Sequence, residues 1–138
     1  MADLTCRIVR PDRLLFEGSA ASVILATYTG QLGIWPGHSS EICALGDGIV
    51  RMNNADGSET KIIISGGYAE IDNNLVIVLA DHARRIDDID VRQVKQTRSE
   101  AKTKMERFDE GDHRRAYYLN KINWCDLLLK YSNDEIEG

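Results

Sequence analysis

The chain has 138 residues, 43% of them hydrophobic and 28% charged, with a formal net charge of −5. That apolar content excludes a disordered chain, and the acidic balance argues against a nucleic-acid partner, because phosphate contact needs a basic face. No apolar run approaches the roughly 20 residues that span a bilayer, and the opening MADLTCRIVR lacks the apolar segment of a secretory signal, which predicts cytosolic exposure.

The first eighty residues read as strands. LTCRIVR and ASVILATY are short β-prone runs, and GIVRMNN ends at the turn signal NADGS. TKIIISG leads into GYAEI, and the DNN turn opens the buried run LVIVLA. Turn residues recur at short intervals with no helical period between them, which predicts nine or ten strands in a β-sandwich or flattened barrel. The pattern then changes. DHARRIDDIDVRQVKQTRSEAKTKMERF has neither glycine nor proline, and Val94, Ala101, Met105 and Phe108 recur at helical spacing. Asp87, Asp88 and Asp90 crowd the expected helix start, where carboxylates cap free N–H groups. DEGD breaks the pattern at Gly111, and a second helix follows in HRRAYYLNKINWCDLLLKY. Tyr118, Ile122, Cys125 and Leu129 form its stripe, widened by Trp124, Leu128 and Tyr131. Two helices joined by a tight turn make an antiparallel hairpin.

Charge divides along the same boundary. Residues 1–80 hold 5 basic against 9 acidic residues, whereas residues 92–107 hold 6 basic against 2 and residues 113–131 hold 4 against 1. Acidic residues return in the tail SNDEIEG. A solvated helix face explains many such runs, but this clustering also suits an acidic protein partner.

Catalytic constellations are scarce. His38 stands beside Ser39, Ser40 and Glu41, yet neighbours on an extended chain point to opposite sides, so this run is no triad in space. His82 and His113 have no partners at metal-ligand spacing, and the three cysteines, Cys6, Cys43 and Cys125, form no zinc pattern. GQLG and SGG lack the Lys-Ser/Thr of a phosphate loop, so their glycines are better read as positions of positive φ or close backbone approach. The expectation is no enzyme, no metal and no cofactor.

The ordered set FEG, GQLGIWPGH, SGGYAEI, LVIVLAD and IDDIDV resembles the epsilon subunit of F-type ATP synthases, whose mitochondrial counterpart is called delta. The resemblance implies a two-sheet sandwich of about ten strands over residues 1–84 and a regulatory two-helix hairpin over 85–138. It implies a non-catalytic rotor subunit, peripheral on the cytoplasmic face of a bacterial plasma membrane, that bears on the gamma subunit and the c-subunit ring. Gln31, Leu32, Gly33, Trp35 and His38 are the implied contacts. Most relatives carry GELG, so Gln31 stands where a carboxylate is usual. In the hairpin, the basic residues Arg92, Arg98, Lys102, Arg114, Arg115 and Lys121 are expected to face an acidic segment of beta, with alpha nearby, and to inhibit ATP hydrolysis.

Relatives that bind ATP carry Ile/Leu-Asp-x-x-Arg-Ala at the first helix. Here Ile89 and Asp90 match but the arginine comes one place early, at Arg92, and Ile122 and Asp126 fall where second-helix arginines belong. One residue rotates a helical side chain by about 100°, so no nucleotide site is expected. Tyr117, Tyr118 and Trp124 are read first as packing residues. A free-standing β-sandwich ligand-binding module with a helical dimerisation element is the rival reading.

Overall fold

The computed structural model describes residues 3–137, with the backbone alone for 133–137, so the acidic side chains of the SNDEIEG tail from 133 onward lie outside the described residues. The chain divides into two compact units, Met1–Ile86 and Asp87–Gly138.

The first unit holds ten strands: β1 (Leu4–Arg10), β2 (Arg13–Ala20), β3 (Ser22–Thr27), β4 (Gly30–Ile34), β5 (Glu41–Ala44), β6 (Gly48–Asn53), β7 (Glu59–Ser65), β8 (Tyr68–Asp72), β9 (Leu75–Leu79) and β10 (His82–Arg85). They form two five-stranded sheets, β2-β1-β9-β8-β5 and β10-β7-β6-β3-β4. Alternation decides which face turns inward. Leu4, Cys6 and Ile8 of β1 meet Ile71 of β8 and Val76 and Val78 of β9, with Val23, Leu25, Val50, Met52, Ile62 and Ile64 from the other sheet, in one buried cluster. Neighbours in the ladders run antiparallel except β1 with β9, which are parallel. The sandwich and its strand number are as the turn spacing predicted.

Three strands, β2, β4 and β5, were not separate runs in the sequence reading; β2 and β4 are interrupted by glycine and polar residues, and β5 is only four residues long. All three end their sheets or pair with a single neighbour, so the ladder partner and not the side chains makes them strands. A fourth strand not singled out in the sequence is His82–Arg85, which follows the change of pattern after Ala80. Its residues pair with Ile62–Ser65 of β7 and bury Ala83.

A 3-10 turn, Ile86–Asp88, spans the boundary of the two units, and the second unit holds α1 (Val91–Met105) and α2 (His113–Glu137). Asp90 caps α1, its Oδ1 accepting from the Gln93 N–H at 3.2 Å. The turn reverses at Gly111, whose φ is +90°. Asp112 then caps α2, accepting from the Arg114 N–H at 3.0 Å. Val94 and Ala101 of α1 and Ile122, Cys125 and Leu128 of α2 are buried. Leu128, at 1% exposure, is the centre of the stripe where the sequence favoured Leu129. All three cysteines are free thiols.

Candidate docking surface

The GQLGIWPGHSS stretch is part strand and part turn. Residues 30–34 form β4, which pairs with β3 along Thr27↔Gly30 to Val23↔Ile34 and ends its sheet. Leu32 is half-buried against the core, while Gln31, on the opposite face, is exposed. Gly33 lies beneath the Trp35 indole. A Cβ there would stand 2.5 Å from the ring, so only glycine lets the ring lie flat on the strand.

Trp35-Pro36-Gly37-His38 then closes a tight turn, the His38 N–H donating to the Trp35 carbonyl at 3.2 Å. Proline at the second position and glycine with φ +88° at the third define a type II turn. Trp35 remains 58% exposed. The His38 ring meets the Ser39 carbonyl at 2.7 Å through Nδ1, a contact within its own loop.

The neighbourhood adds residues that the sequence reading did not single out. β5 ends the other sheet and runs beside β4. A groove of about 350 Å³ lies between the two edges, lined by Thr27, Tyr28, Gln31, Leu32, Glu41 and Cys43 among others. Tyr28 is 77% and Ile42 72% exposed. Beyond Ile42 the ladder sets Glu70 opposite Ile42 and Ile77, and Tyr68 opposite Ala44 and Leu79. Tyr68 and Leu79 are exposed too. Of the exposed large apolar residues, Tyr28 and Trp35 thus stand in the turns at the two ends of β4, Ile42 on the β5 edge strand and Tyr68 on its neighbour β8. No local sequence signal marks Ile42 or Tyr68, because their neighbourhood arises from pairing between distant strands. Burial and the nearby Glu41 carboxylate raise the Cys43 thiol pKa, and burial pushes Cys6 up to about 12, so neither is a thiolate at neutral pH.

The hairpin residues divide into two sets. Arg98 pairs with Asp126 across the two helices. Arg115 donates to the carbonyls of Met105 at 3.2 Å and Phe108 at 2.9 Å, where the end of α1 leaves acceptors without helical partners. Arg114 grips Asp112 and lies 4.4 Å over the Phe108 ring, which stacks on Tyr118. Those three arginines serve the hairpin itself. Arg92, Lys102 and Lys121 are exposed and hold no ion pair among the described residues. The Asp90 carboxylate is engaged by its helix cap, and Asp126 pairs with Arg98. Among the described residues there is no His/Cys/Asp/Glu group placed to hold a metal, and no helix is long and apolar enough to cross a membrane.

Ten strands in two sheets followed by a pair of helices define the class of the protein. The family model for the beta-sandwich domain of the ATP synthase delta/epsilon chain matches residues 3–86. The ATP synthase epsilon chain of Synechococcus elongatus is 40% identical over 109 residues, 79% of each chain. That of Moorella thermoacetica is 36% identical over 105 residues, 76% of this chain and 78% of the other. The fold also resembles a chain of the Euglena gracilis mitochondrial ATP synthase, with a TM-score of 0.65 at 20% identity, covering 100% of this chain and 83% of that one. A chain of the Tetrahymena thermophila central stalk and c-ring gives 0.53 at 12%, covering 95% and 97%. The chain belongs to the ATP synthase epsilon-chain family. It is therefore a stalk and regulatory subunit of F-type ATP synthase and not one of its catalytic subunits, which displaces the free-standing ligand module.

Proposed function

We propose that residues 1–84 are the rotor-docking domain and that Gln31, Leu32, Gly33, Trp35 and His38 meet the gamma subunit and the c-ring. The observation that carries this reading is the exposure of Tyr28 and Trp35, in the turns at the two ends of edge strand β4, and of Ile42 on edge strand β5, all more than half open to solvent. Aromatic and branched apolar side chains on a stiff scaffold are what the centre of a protein interface requires. The Euglena and Tetrahymena chains of similar fold come from assemblies that include a c-ring, which suits the same reading. A β-sandwich is stiff enough to pass torque from a ring to a shaft, and the neutral Gln31 makes its own contact less sensitive to salt than a carboxylate would.

Residues 85–138 act as the regulatory element. Arg92, Lys102 and Lys121 face an acidic segment of beta, close to alpha, and obstruct ATP hydrolysis, while Arg98, Arg114 and Arg115 keep the hairpin in shape. Inhibition needs only two hairpin placements differing by a few kcal/mol. As part of the complex, the subunit lies peripherally on the cytoplasmic face of a bacterial plasma membrane in this reading. Two measurements on the rotary complex test this. The chain should co-purify with gamma at 1:1 and lose that binding in Trp35→Ala, and removing residues 85–138 should raise ATP hydrolysis with assembly intact. Unchanged gamma binding would refute the docking surface, and unchanged hydrolysis would refute the inhibitory role.

A further inference from the structure

The docking turn is held by a second turn far away in sequence. β8 and β9 are joined through Asn73 and Asn74, with φ of 49° and 62° between the paired Asp72 and Leu75, a type I′ hairpin. The Asn74 backbone is anchored, its carbonyl accepting from the Thr5 N–H of β1 at 2.8 Å. Its side chain reaches outward, and Oδ1 accepts from the Gly37 N–H at 2.8 Å. Next to it, Ser40 Oγ donates to Asp72 Oδ1 at 2.8 Å. Two side chains of one rigid hairpin therefore clasp both flanks of His38.

The Gly37 N–H is a particular choice of group. It belongs to the central peptide of the type II turn, and turning that peptide over converts type II to type I. We infer that Asn74 is a positioning residue of the docking loop, which selects the type II state by holding the Gly37 N–H inward, with Asp72 fixing the loop's far end through Ser40. The peptide is trans, so its carbonyl points opposite its N–H. Holding the N–H on Asn74 turns the Pro36 carbonyl away from the sandwich, where an N–H, Lys or Arg donor of the partner can meet it. This inference rests on the reading that the loop docks.

The full-length chain and epsilon-depleted ATP synthase test it. Asn74→Gly removes the acceptor but creates Asn-Gly, the favoured type I′ pair, so the hairpin itself should persist. The Gly37 amide should then exchange with solvent about 2- to 10-fold faster, the scale of one neutral hydrogen bond. Protection in the β8–β9 ladder should not change, and Asn74→Asp, which keeps an acceptor, should restore the slow exchange. Binding to the depleted enzyme should weaken by a similar factor in Asn74→Gly and recover in Asn74→Asp. Unchanged Gly37 exchange in Asn74→Gly overturns the inference. So does faster exchange with full binding, provided Trp35→Ala still weakens binding. If Trp35→Ala leaves binding intact, the docking reading is what fails, and the Gly37 exchange alone decides the clasp.

Discussion

Gly33 and Trp35 act as one unit, since the indole rests where a Cβ would project from the strand. Gly33→Ala should displace the ring. Because the atoms met are the far end of a half-exposed side chain, unfolding stability should change by less than about 1 kcal/mol, while affinity for gamma falls as far as in Trp35→Ala. Chemical denaturation beside a binding titration checks both halves, and a large loss of stability with normal binding would contradict the pairing. Asp112 offers a pH-dependent case. Hydrogen bonds from the Arg114 guanidinium and then its backbone N–H hold this carboxyl at about 2. A depressed carboxyl stabilises the fold fully above its ordinary value of 3.8, and that contribution is lost as pH falls toward 2. Amides in the first turn of α2 should lose protection over that interval in the native chain and show no such step in Asp112→Asn.

At the scale of elements, the hairpin shows why charge counts mislead. Six basic positions looked equivalent along the two helices, yet Arg98, Arg114 and Arg115 turn to groups of their own hairpin. Arg98 and Asp126 are both partly open to solvent, so their pairing contributes modestly and weakens with salt. It orients the helices more than it stabilises them. Asp126→Asn should speed exchange of α1 amides about 2- to 5-fold at low salt. The exchanged pair Arg98→Asp with Asp126→Arg should recover the native rate, and a pair no better than its worse single variant would show that the contact carries no coupling. The strands teach a related lesson. β6, β7 and β9 announce themselves through continuous Ile and Val runs, whereas β4 and β5 hide behind Gly30, Gly33 and Glu41 because a free edge needs little apolar surface.

For the whole molecule, the unit Met1–Ile86 holds 7 basic and 10 acidic residues and the unit Asp87–Gly138 holds 10 and 12, so both are acidic overall and the cationic excess is confined to α1, with 5 basic residues against 1. With Asp90 and Asp126 both engaged, the expectation for the described residues of the hairpin is that they bind no triphosphate. Titration calorimetry with ATP should show no saturable heat in the micromolar range. Saturable binding there, abolished by Arg92→Ala, would overturn this.

Periodicity alone determined the division into a strand-built half and a helical half, the hairpin turn at Gly111 and most of the core, because burial of apolar faces follows local spacing. GQLGIWPGH was legible as a shaped, non-catalytic stretch because glycine and proline restrict the backbone wherever they stand. Three features awaited the tertiary structure: the placing of exposed Ile42 and Tyr68 on paired strands, the hydrogen bond of Asn74 to Gly37, and the pairing of Arg98 with Asp126. Each joins residues at least 26 positions apart, and such neighbours are made by strand register and helix packing, which no local pattern encodes.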